Sequence, residues 1–415
     1  MMAVRELPPD ATSDLDANDA DATESQRAIR VMRPRRAAPA DAVRPTRAEV
    51  NLGALRHNVA VVRERARGAK VWAVLKADGY GHGAPAVART LERAKVDGFC
   101  VALLEEAVEL RDAGIAAPIL VMGGYYGRAY DEVLRRNLTP VLYDASHLEG
   151  FARMVRSGSF PGPISVHVKI DTGMARLGVR PKDLPAFADA LADTPEIRVE
   201  GLMTHLANAD AETADDNDAQ VARFDEATAY LAKRGVRAKL RHAANSAALL
   251  KQSALLDAVR PGIAVFGICP SVHDRADLQM AMRVRTEVVD VRTIDPGDPV
   301  GYGGLYRAAR PTRIATVSMG YADGLPRALS NRGAMLVRGK RAPIVGAVSM
   351  DMTMLDVTEI PEVGLRDEVV VLGAQEGTSG KDFIGAEEMA RNADQIPWEV
   401  LTQISRRVPR FYREP

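Results

Sequence analysis

The sequence lacks several features that would place it in other classes of protein. Its only cysteines, Cys100 and Cys269, lie in apolar runs, so we expect two reduced thiols rather than a disulfide or a metal site. The 55 lysines and arginines balance the 55 aspartates and glutamates, which gives no electrostatic reason to expect nucleic acid or an anionic membrane as a partner. No apolar stretch approaches the roughly 20 residues that span a membrane. The hydrophobic content of 47% is instead typical of a folded soluble protein.

Residues 1–45 lack aromatic side chains altogether. An acidic stretch from Asp10 to Asp21 is followed by an arginine-rich stretch from Arg27 to Arg36, with alanine and proline between the charges. Such a composition buries little apolar surface, so we expect a disordered tail. The tail has no apolar core of the kind found in secretory signals, and we therefore expect a cytoplasmic protein.

From Thr46 onward, short apolar runs alternate with amphipathic stretches such as Ala84–Ala94 and Asp218–Arg234. Strands that alternate with helices predict βαβ units and a parallel sheet, and eight such units fit a closed (β/α)8 TIM barrel. The alternative is an open doubly wound sheet, but the GxGxxG turn expected after its first strand is missing. The eight predicted strands are Val71–Lys76, Gly98–Leu103, Pro118–Met122, Thr139–Tyr143, Ile164–Ile170, Val199–His205, Lys239–Ala243 and Ala258–Phe266.

After residue 281 the predicted secondary structure changes. Helical patterns give way to short strands separated by turn signals such as Asp295-Pro296-Gly297. We expect the tail over 1–45, the barrel over 46–281 and a C-terminal all-β domain over 282–415, with one helix near Gly385–Ala393. The predicted strands of this second domain are Val284–Ile294, Thr312–Met319, Ala334–Val337, Ala342–Val348, Met354–Val357 and Glu368–Leu372.

Polar residues lie where the predicted barrel strands end, which is where barrel enzymes carry their active sites. Lys76 ends the first strand, His205 the sixth and His242 the seventh, while Arg260 lies in the eighth. Each has an ordinary structural explanation when it is taken alone; a lysine at a strand end, for example, extends its amine to solvent. A lysine in a desolvated pocket would instead have a lowered pKa and would attack an aldehyde.

Ser246 and the backbone amides of Gly262 and Ile263 add a second signal, because hydroxyl and amide donors at the start of a helix bind phosphate. Together with the lysine, the arginine and the histidines, they indicate an anionic ligand.

These segments carry a resemblance to a known family. AVLKADGYGHG, which contains Lys76, resembles the pyridoxal-phosphate attachment motif of the alanine racemase family. The resemblance covers residues 46–412 and implies an isomerase that interconverts L-alanine and D-alanine, supplies D-alanine for peptidoglycan and works as a homodimer. Seven further blocks follow in the family's order: KIDTGMARLG, GLMTHLANAD, HAANSAA, VRPGIAVFG, VGYGGLYRA, GYADGLPR and VSMDM.

The resemblance implies two catalytic bases. Lys76 resembles the lysine that holds pyridoxal 5'-phosphate as a Schiff base, and it would act on the D-enantiomer. Tyr302 resembles the base for the L-enantiomer, which the other subunit of the dimer lends. Two bases on opposite faces of the α-carbon make physical sense, because one removes the proton and the other returns a proton to the far side.

The resemblance also implies how the cofactor is held. Arg260 would meet the pyridine nitrogen, and because an arginine does not readily give up its proton, the ring stays a weaker electron sink. His205 and His242 would support that arginine. The residues that resemble the phosphate ligands are Tyr80, Ser246, Gly262, Ile263 and Trp398.

Further residues resemble those that bind the substrate or support the site. Arg176 and the Met350 backbone would bind the substrate carboxylate, Met350 from the partner subunit. Lys169 matches a lysine that the family often carbamylates, and Asp351 accompanies Met350. Tyr321 and Arg327 resemble residues of the access corridor.

Two positions depart from the family's pattern. Trp398 stands where a tyrosine is usual, and Ala347 stands where an arginine is usual. An indole N–H still donates one hydrogen bond, but a wider ring would reshape the mouth of the site. Two readings stay open: a neutral exchange that leaves alanine preferred, or a site that also accepts serine.

Two other functions compete with racemisation. A pyridoxal-phosphate decarboxylase of the same architecture would use an acidic partner for the pyridine nitrogen and a run of three glycines for the phosphate. The sequence has Arg260 and no such glycine run. A non-catalytic cofactor carrier would need neither Tyr302 nor Met350.

Overall fold

The computed structural model describes residues 42–123, 129–211, 215–271 and 276–414, without the side chain of residue 215. The expected disordered tail thus lies outside the described residues as far as residue 41. The described chain begins with strand β1 (Arg47–Asn51) and helix α1 (Leu52–Arg65). Asn51 caps this helix, because its side-chain oxygen accepts a hydrogen bond from the Ala54 amide at 3.0 Å.

Eight parallel strands then form a closed barrel, which confirms the predicted fold. The ring closes where β2 pairs with β9, through the partners Lys70–Ala258 and Val71–Val259. The strands are β2 (Lys70–Val74), β3 (Gly98–Val101), β4 (Ile119–Val121), β5 (Thr139–Leu142), β6 (Ile164–Lys169), β7 (Ile197–Met203), β8 (Leu240–His242) and β9 (Ala258–Val259).

Helices cover the outside of the barrel and bury their apolar faces against it. Helix α3 is typical: Ala84, Val87, Ala88 and Leu91 follow the spacing of one helical face, and all four are buried. The helices of this part are α2 (Lys76–Tyr80), α3 (Ala84–Arg93), α4 (Leu104–Asp112), α5 (Tyr130–Arg135), α6 (Ala145–Arg156), α7 (Leu184–Ala192), α8 (Asp215–Lys233) and α9 (Ser246–Leu250).

The C-terminal part is β-rich, as expected. Its two helices are α10 (Ala386–Ala393) and α11 (Pro397–Gln403). Its strands are β10 (Met282–Ile294), β11 (Pro299–Val300), β12 (Tyr306–Arg307), β13 (Thr312–Val317), β14 (Ala334–Val337), β15 (Lys340–Pro343), β16 (Thr353–Asp356), β17 (Glu368–Gly377), β18 (Gly380–Ile384) and β19 (Arg410–Arg413).

The first strand of the chain belongs to this C-terminal sheet and not to the barrel. β1 pairs antiparallel with β10, where Arg47 faces Arg285, and parallel with β19, where Glu49 faces Phe411. The chain therefore enters the barrel from the second domain's sheet. The domain boundaries expected from the sequence remain a prediction.

Some predicted strands differ in extent from the observed ones. The eighth barrel strand ends at Val259, because Pro261 and Gly262 turn the chain before a 3₁₀ turn at Ile263–Phe266. The strand predicted at Ala342–Val348 is β15, which ends at Pro343. Among the described residues, no helix combines the length and the apolar composition needed to cross a membrane.

Candidate active site

Lys76 lies two residues beyond the end of β2, where the chain leaves the barrel in a tight turn. The sequence predicted that Lys76 would end the strand; instead it begins α2, in which Ala77, Asp78 and Gly79 have left-handed backbone angles. The turn directs the chain across the C-terminal mouth of the barrel. Burial and the nearby Arg176 guanidinium lower the pKa of Lys76, while the Glu106 carboxylate raises it.

The eight residues predicted to bind the cofactor all line one cavity of about 200 Å³ at this mouth. They come from strand ends and loops that are far apart in the sequence, so the barrel brings them together. They are Lys76, Tyr80, His205, Ser246, Arg260, Gly262, Ile263 and Trp398.

At one end of this cavity, small groups and hydrogen-bond donors form a cradle. The Ser246 hydroxyl accepts hydrogen bonds from the Gly262 amide at 2.9 Å and the Ala264 amide at 3.3 Å. A Cβ atom at Gly262 would lie 2.9 Å from Tyr80 Cζ and closer still to the phenol oxygen, so a larger residue there would have to displace the phenol. Burial raises the pKa of Tyr80, which keeps the phenol protonated and able to donate.

Arg260 is buried at the base of the cavity and is held by several acceptors. Its guanidinium donates to the Thr204 carbonyl at 2.8 Å and the His242 carbonyl at 2.9 Å, and it lies 2.7 Å from His242 Nδ1. Burial lowers the pKa of Arg260 to about 10, which leaves it protonated at neutral pH. Because Arg260 donates to His242 Nδ1, that nitrogen is the acceptor and Nε2 carries the proton.

Arg260 begins a buried chain of polar contacts that continues through two histidine rings, His242 and His167. His242 Nε2 lies 2.8 Å from His167 Nδ1, a contact that sequence reasoning did not predict. Burial and the neighbouring Arg260 hold the pKa of His242 well below its usual value, and the same two causes lower the pKa of His167 to about 4. His205 Nδ1 lies 3.4 Å from the Arg260 guanidinium. The pKa of His205 is also strongly lowered, mainly by burial and next by Arg260. All three rings are therefore neutral near pH 7.

Lys169 is the last residue of β6 and is only 5% exposed. Burial, followed by the positive charges of Arg176 and Arg260, lowers the pKa of Lys169 to about 8. Arg176 itself is exposed on the next turn. That turn is ordered by Asp171, whose carboxylate accepts hydrogen bonds from the Met174 and Ala175 amides at 2.9 and 3.1 Å.

Tyr302 and Met350, two predicted residues of the second domain, lie on the surface. Tyr302 is 75% exposed and Met350 is 51% exposed, and neither lines the described cavity. Two backbone hydrogen bonds join the loop of Met350 to the turn at Tyr321, from the Tyr321 amide to the Ser349 carbonyl at 2.9 Å and from the Ala322 amide to the Met350 carbonyl at 3.0 Å. Asp351 is held by Arg407 at 2.6 Å.

The two departures from the family's pattern lie in different places. Trp398, in α11, is half-buried and lines the cavity. Ala347 is buried in the second domain beside Gly301, one residue before Tyr302.

Sequence reasoning missed several residues that line the cavity. Asp210 and Asn245 lie inside blocks already recognised, GLMTHLANAD and HAANSAA, so the signal was available. Met122 follows β4 and carried no chemical signal beyond its position after a predicted strand.

Comparison with known proteins agrees with this geometry. The model of the alanine racemase N-terminal domain matches residues 50–270, and that of the alanine racemase C-terminal domain matches residues 281–412. An alanine racemase of Sorangium cellulosum is 56% identical over 380 residues, which cover 90% of this chain and all of that protein.

Solved structures show the same architecture. An alanine racemase from Bacillus anthracis, with bound L-Ala-P, superposes with a TM-score of 0.82 at 35% identity and covers 90% of this chain and 96% of its own. An alanine racemase from Bartonella henselae, with covalently bound pyridoxal phosphate, has a TM-score of 0.80 at 29% identity and covers 89% and 99%. With both domain models matched in order over nearly the whole described chain, this protein belongs to the alanine racemase family.

Proposed function

We propose that this chain interconverts L-alanine and D-alanine with pyridoxal 5'-phosphate as its cofactor. Family membership over both domains supports the activity. The observation that carries the proposal is the cavity itself, in which a lysine of lowered pKa and a cradle of donors line the same space. In a bacterial cell the D-alanine would serve peptidoglycan synthesis, and we place the reaction in the cytoplasm.

The residues present fit this cofactor. The glycine that leaves room beside Tyr80, the Ile263 amide and the Ser246 hydroxyl, which accepts from the Gly262 amide and keeps its own proton to donate, suit a phosphate. Arg260 can donate a hydrogen bond to the ring nitrogen of the cofactor, and the Lys76 amine can react with its aldehyde. When bound, the cofactor supplies that aldehyde and a conjugated ring that withdraws electrons from the substrate's α-carbon.

The chain's own residues then move the protons. Because burial lowers its pKa, the Lys76 amine is more readily neutral than an ordinary lysine and can accept the α-proton from one face. Tyr302 would act on the other face. Arg260 stays protonated and donates without transferring its proton, because its pKa of about 10 lies well above neutrality. Because Arg260 keeps its proton, the ring nitrogen stays unprotonated and the ring withdraws electrons from the α-carbon less strongly. Return of a proton to the α-carbon is then favoured over other reactions.

Racemisation predicts exchange of the α-proton together with inversion. We expect L-alanine incubated in deuterated water with the holoenzyme to give both deuterated enantiomers. A decarboxylase would release carbon dioxide. A non-catalytic cofactor carrier would neither exchange the α-proton nor release carbon dioxide. Borohydride trapping followed by peptide mapping should place a pyridoxyl group on Lys76, and a label on any other lysine would refute the site assignment.

The proposal includes a homodimer with shared active sites. It is supported by Tyr302 and Met350, which are 75% and 51% exposed and do not line the cavity of their own chain. Mixing the inactive variants Lys76→Ala and Tyr302→Phe tests this. Random pairing leaves about one site in four with both residues intact, so roughly a quarter of the parent activity should return. No recovery after complete subunit exchange would contradict a shared site.

Lys169 is proposed to be carbamylated. Its neutral amine, favoured by burial and by the cations around it, is the form that reacts with carbon dioxide, and the resulting negative charge would offset Arg176. Intact mass of the native protein, with and without bicarbonate, measures the modification.

A further inference from the structure

The turn that follows Lys76 has a backbone conformation that residues with side chains rarely adopt. Ala77, Asp78 and Tyr80 have φ angles of 51°, 56° and 52°, and Gly79 between them has φ of 60°. Each left-handed residue other than glycine is disfavoured by contact between its Cβ and the backbone. Contacts from outside the turn must therefore stabilise it, and these contacts determine the direction in which Lys76 leaves β2.

One such contact comes from Glu106, in the first turn of α4. Glu106 Oε1 accepts a hydrogen bond from the Ala77 amide at 2.6 Å. Its other oxygen accepts from the Ala102 amide at 2.9 Å and the Leu103 amide at 3.1 Å. One carboxylate thus joins the residue after Lys76 to the end of β3 and the start of α4.

The same carboxylate is the negative charge that acts on the Lys76 amine. Burial and Arg176 lower the pKa of Lys76, and Glu106 opposes them by raising it. Lys169 of β6 and His205 beyond β7 also interact with this lysine, and neither contributes a negative charge.

We propose that Glu106 is a positioning residue, which holds the left-handed turn and thereby fixes the Lys76 amine at the mouth of the cavity with a carboxylate beside it. The role rests on the proposed function, since Lys76 is the residue that would carry the cofactor. The measurements below use the chain without cofactor as well as with it, so they remain informative if the racemase activity is absent.

Two substitutions separate the contact from the charge. Glu106→Gln keeps the length of the side chain and one acceptor oxygen for Ala77 but removes the charge, and its NH2 group no longer accepts from the Ala102 and Leu103 amides. Glu106→Asp keeps the charge and shortens the side chain, so the bond to the Ala77 amide is lost. The matched control is Glu105→Gln, because Glu105 is exposed on the same helical turn and its replacement changes the net charge equally.

For the cofactor-free protein, we expect hydrogen exchange at the Ala77 amide to accelerate in Glu106→Asp and to remain slow in Glu105→Gln. We expect the pKa of Lys76, measured from the pH dependence of its acetylation by mass spectrometry, to fall in Glu106→Gln and to be unchanged in the control. For the holoenzyme, we expect kcat of Glu106→Asp to fall by about 100-fold, the loss typical of a misplaced catalytic group, with a smaller change in KM.

Parent-like protection of Ala77 in Glu106→Asp would overturn the positioning role. An equal fall in the pKa of Lys76 in Glu106→Gln and Glu105→Gln would overturn the local action of the charge. If the α-proton experiment failed while Glu106→Asp still exposed the Ala77 amide, the proposed function would be wrong and the role of Glu106 in the turn would stand.

Discussion

Replacing Gly262 with alanine should disable the proposed phosphate cradle without unfolding the barrel. The backbone of Gly262, with φ of −111° and ψ of −89°, is not in the left-handed region that favours glycine. The added Cβ is the difficulty, since it would lie 2.9 Å from Tyr80 Cζ and closer to the phenol oxygen. Tyr80 has little room to move, because it is 5% exposed and its ring centroid lies 5.1 Å from that of Phe266.

The size of the effect follows from overpacking. Inserting a methyl group into a packed site costs about 1–3 kcal/mol. If the strain is relieved only by displacing the phenol from the cradle, the loss appears in cofactor affinity, as a roughly 5- to 140-fold increase in Kd. Absorbance titration of the cofactor-free protein with pyridoxal phosphate measures this, and thermal unfolding of the same protein reports how much strain falls on the fold.

Two further variants make the experiment specific. Gly123→Ala is the matched control, because its Cβ would be an ordinary 3.5 Å from Leu177 Cδ1. Tyr80→Phe removes the phenol oxygen, so adding Gly262→Ala to that background should weaken binding by less than it does in the parent chain. Parent-like affinity in Gly262→Ala, or equal effects in the two backgrounds, would refute the reasoning.

Three other outcomes are expected. The pKa of Lys169, about 8, lies below its ordinary value of 10.5, so the folded chain binds fewer protons than the unfolded chain between these pH values and stability rises with pH there. Lys169→Met in carbonate-free buffer should therefore raise Tm at pH 7, by an amount that shrinks as pH rises from about 8 to 10.5; a constant gain would contradict this. Trp398→Tyr should change the ratio of L-alanine to L-serine turnover. An unchanged ratio would contradict the hypothesis that the indole of Trp398 determines which amino acids are accepted. Arg260→Lys should lose at least the bond to the Thr204 carbonyl, 2.8 Å in the parent, and about 1–3 kcal/mol of stability in chemical denaturation.

The barrel was predictable because its signals are local. Each strand is a short run of buried residues and each helix has one apolar face, so the pattern can be read within about ten residues. The place of β1 was not predictable in this way. Glu49 of β1 meets Arg285 of β10 at 2.7 Å across 236 positions of the chain, and no local pattern reports such a partner.

In the candidate site, too, the residues with a local sequence signal were predictable and the others were not. Arg260 and Gly262 lie in blocks whose composition is unusual enough to be recognised, and their positions at strand ends followed from the barrel. Glu106 gave no such signal, because a glutamate in the first turn of a helix is the ordinary choice beside the positive end of the helix dipole. Its second role exists only because the turn after Lys76 comes within hydrogen-bonding distance of α4.

The C-terminal part of the chain also helps to build the lysine's surroundings. Arg410 of β19 donates to the Gly81 carbonyl at 2.9 Å, and the Tyr412 hydroxyl donates to the His82 carbonyl at 3.2 Å. A Cβ at Gly81 would lie 3.2 Å from the carbonyl carbon of Leu401 in α11, and closer to its oxygen. The segment after Lys76 is thus packed between α4 of the barrel and the last residues of the second domain.

The energies of this arrangement are balanced. Left-handed conformations at Ala77, Asp78 and Tyr80 cost about 3–6 kcal/mol together. Two hydrogen bonds to carboxylates, from the Ala77 amide to Glu106 and from the Ala84 amide to Asp78 at 2.9 Å, offset about the same amount. Neither side leaves a large surplus, so the contacts from β19 and α11 decide whether the turn is well ordered. The second domain therefore helps to hold the lysine of its own barrel in place.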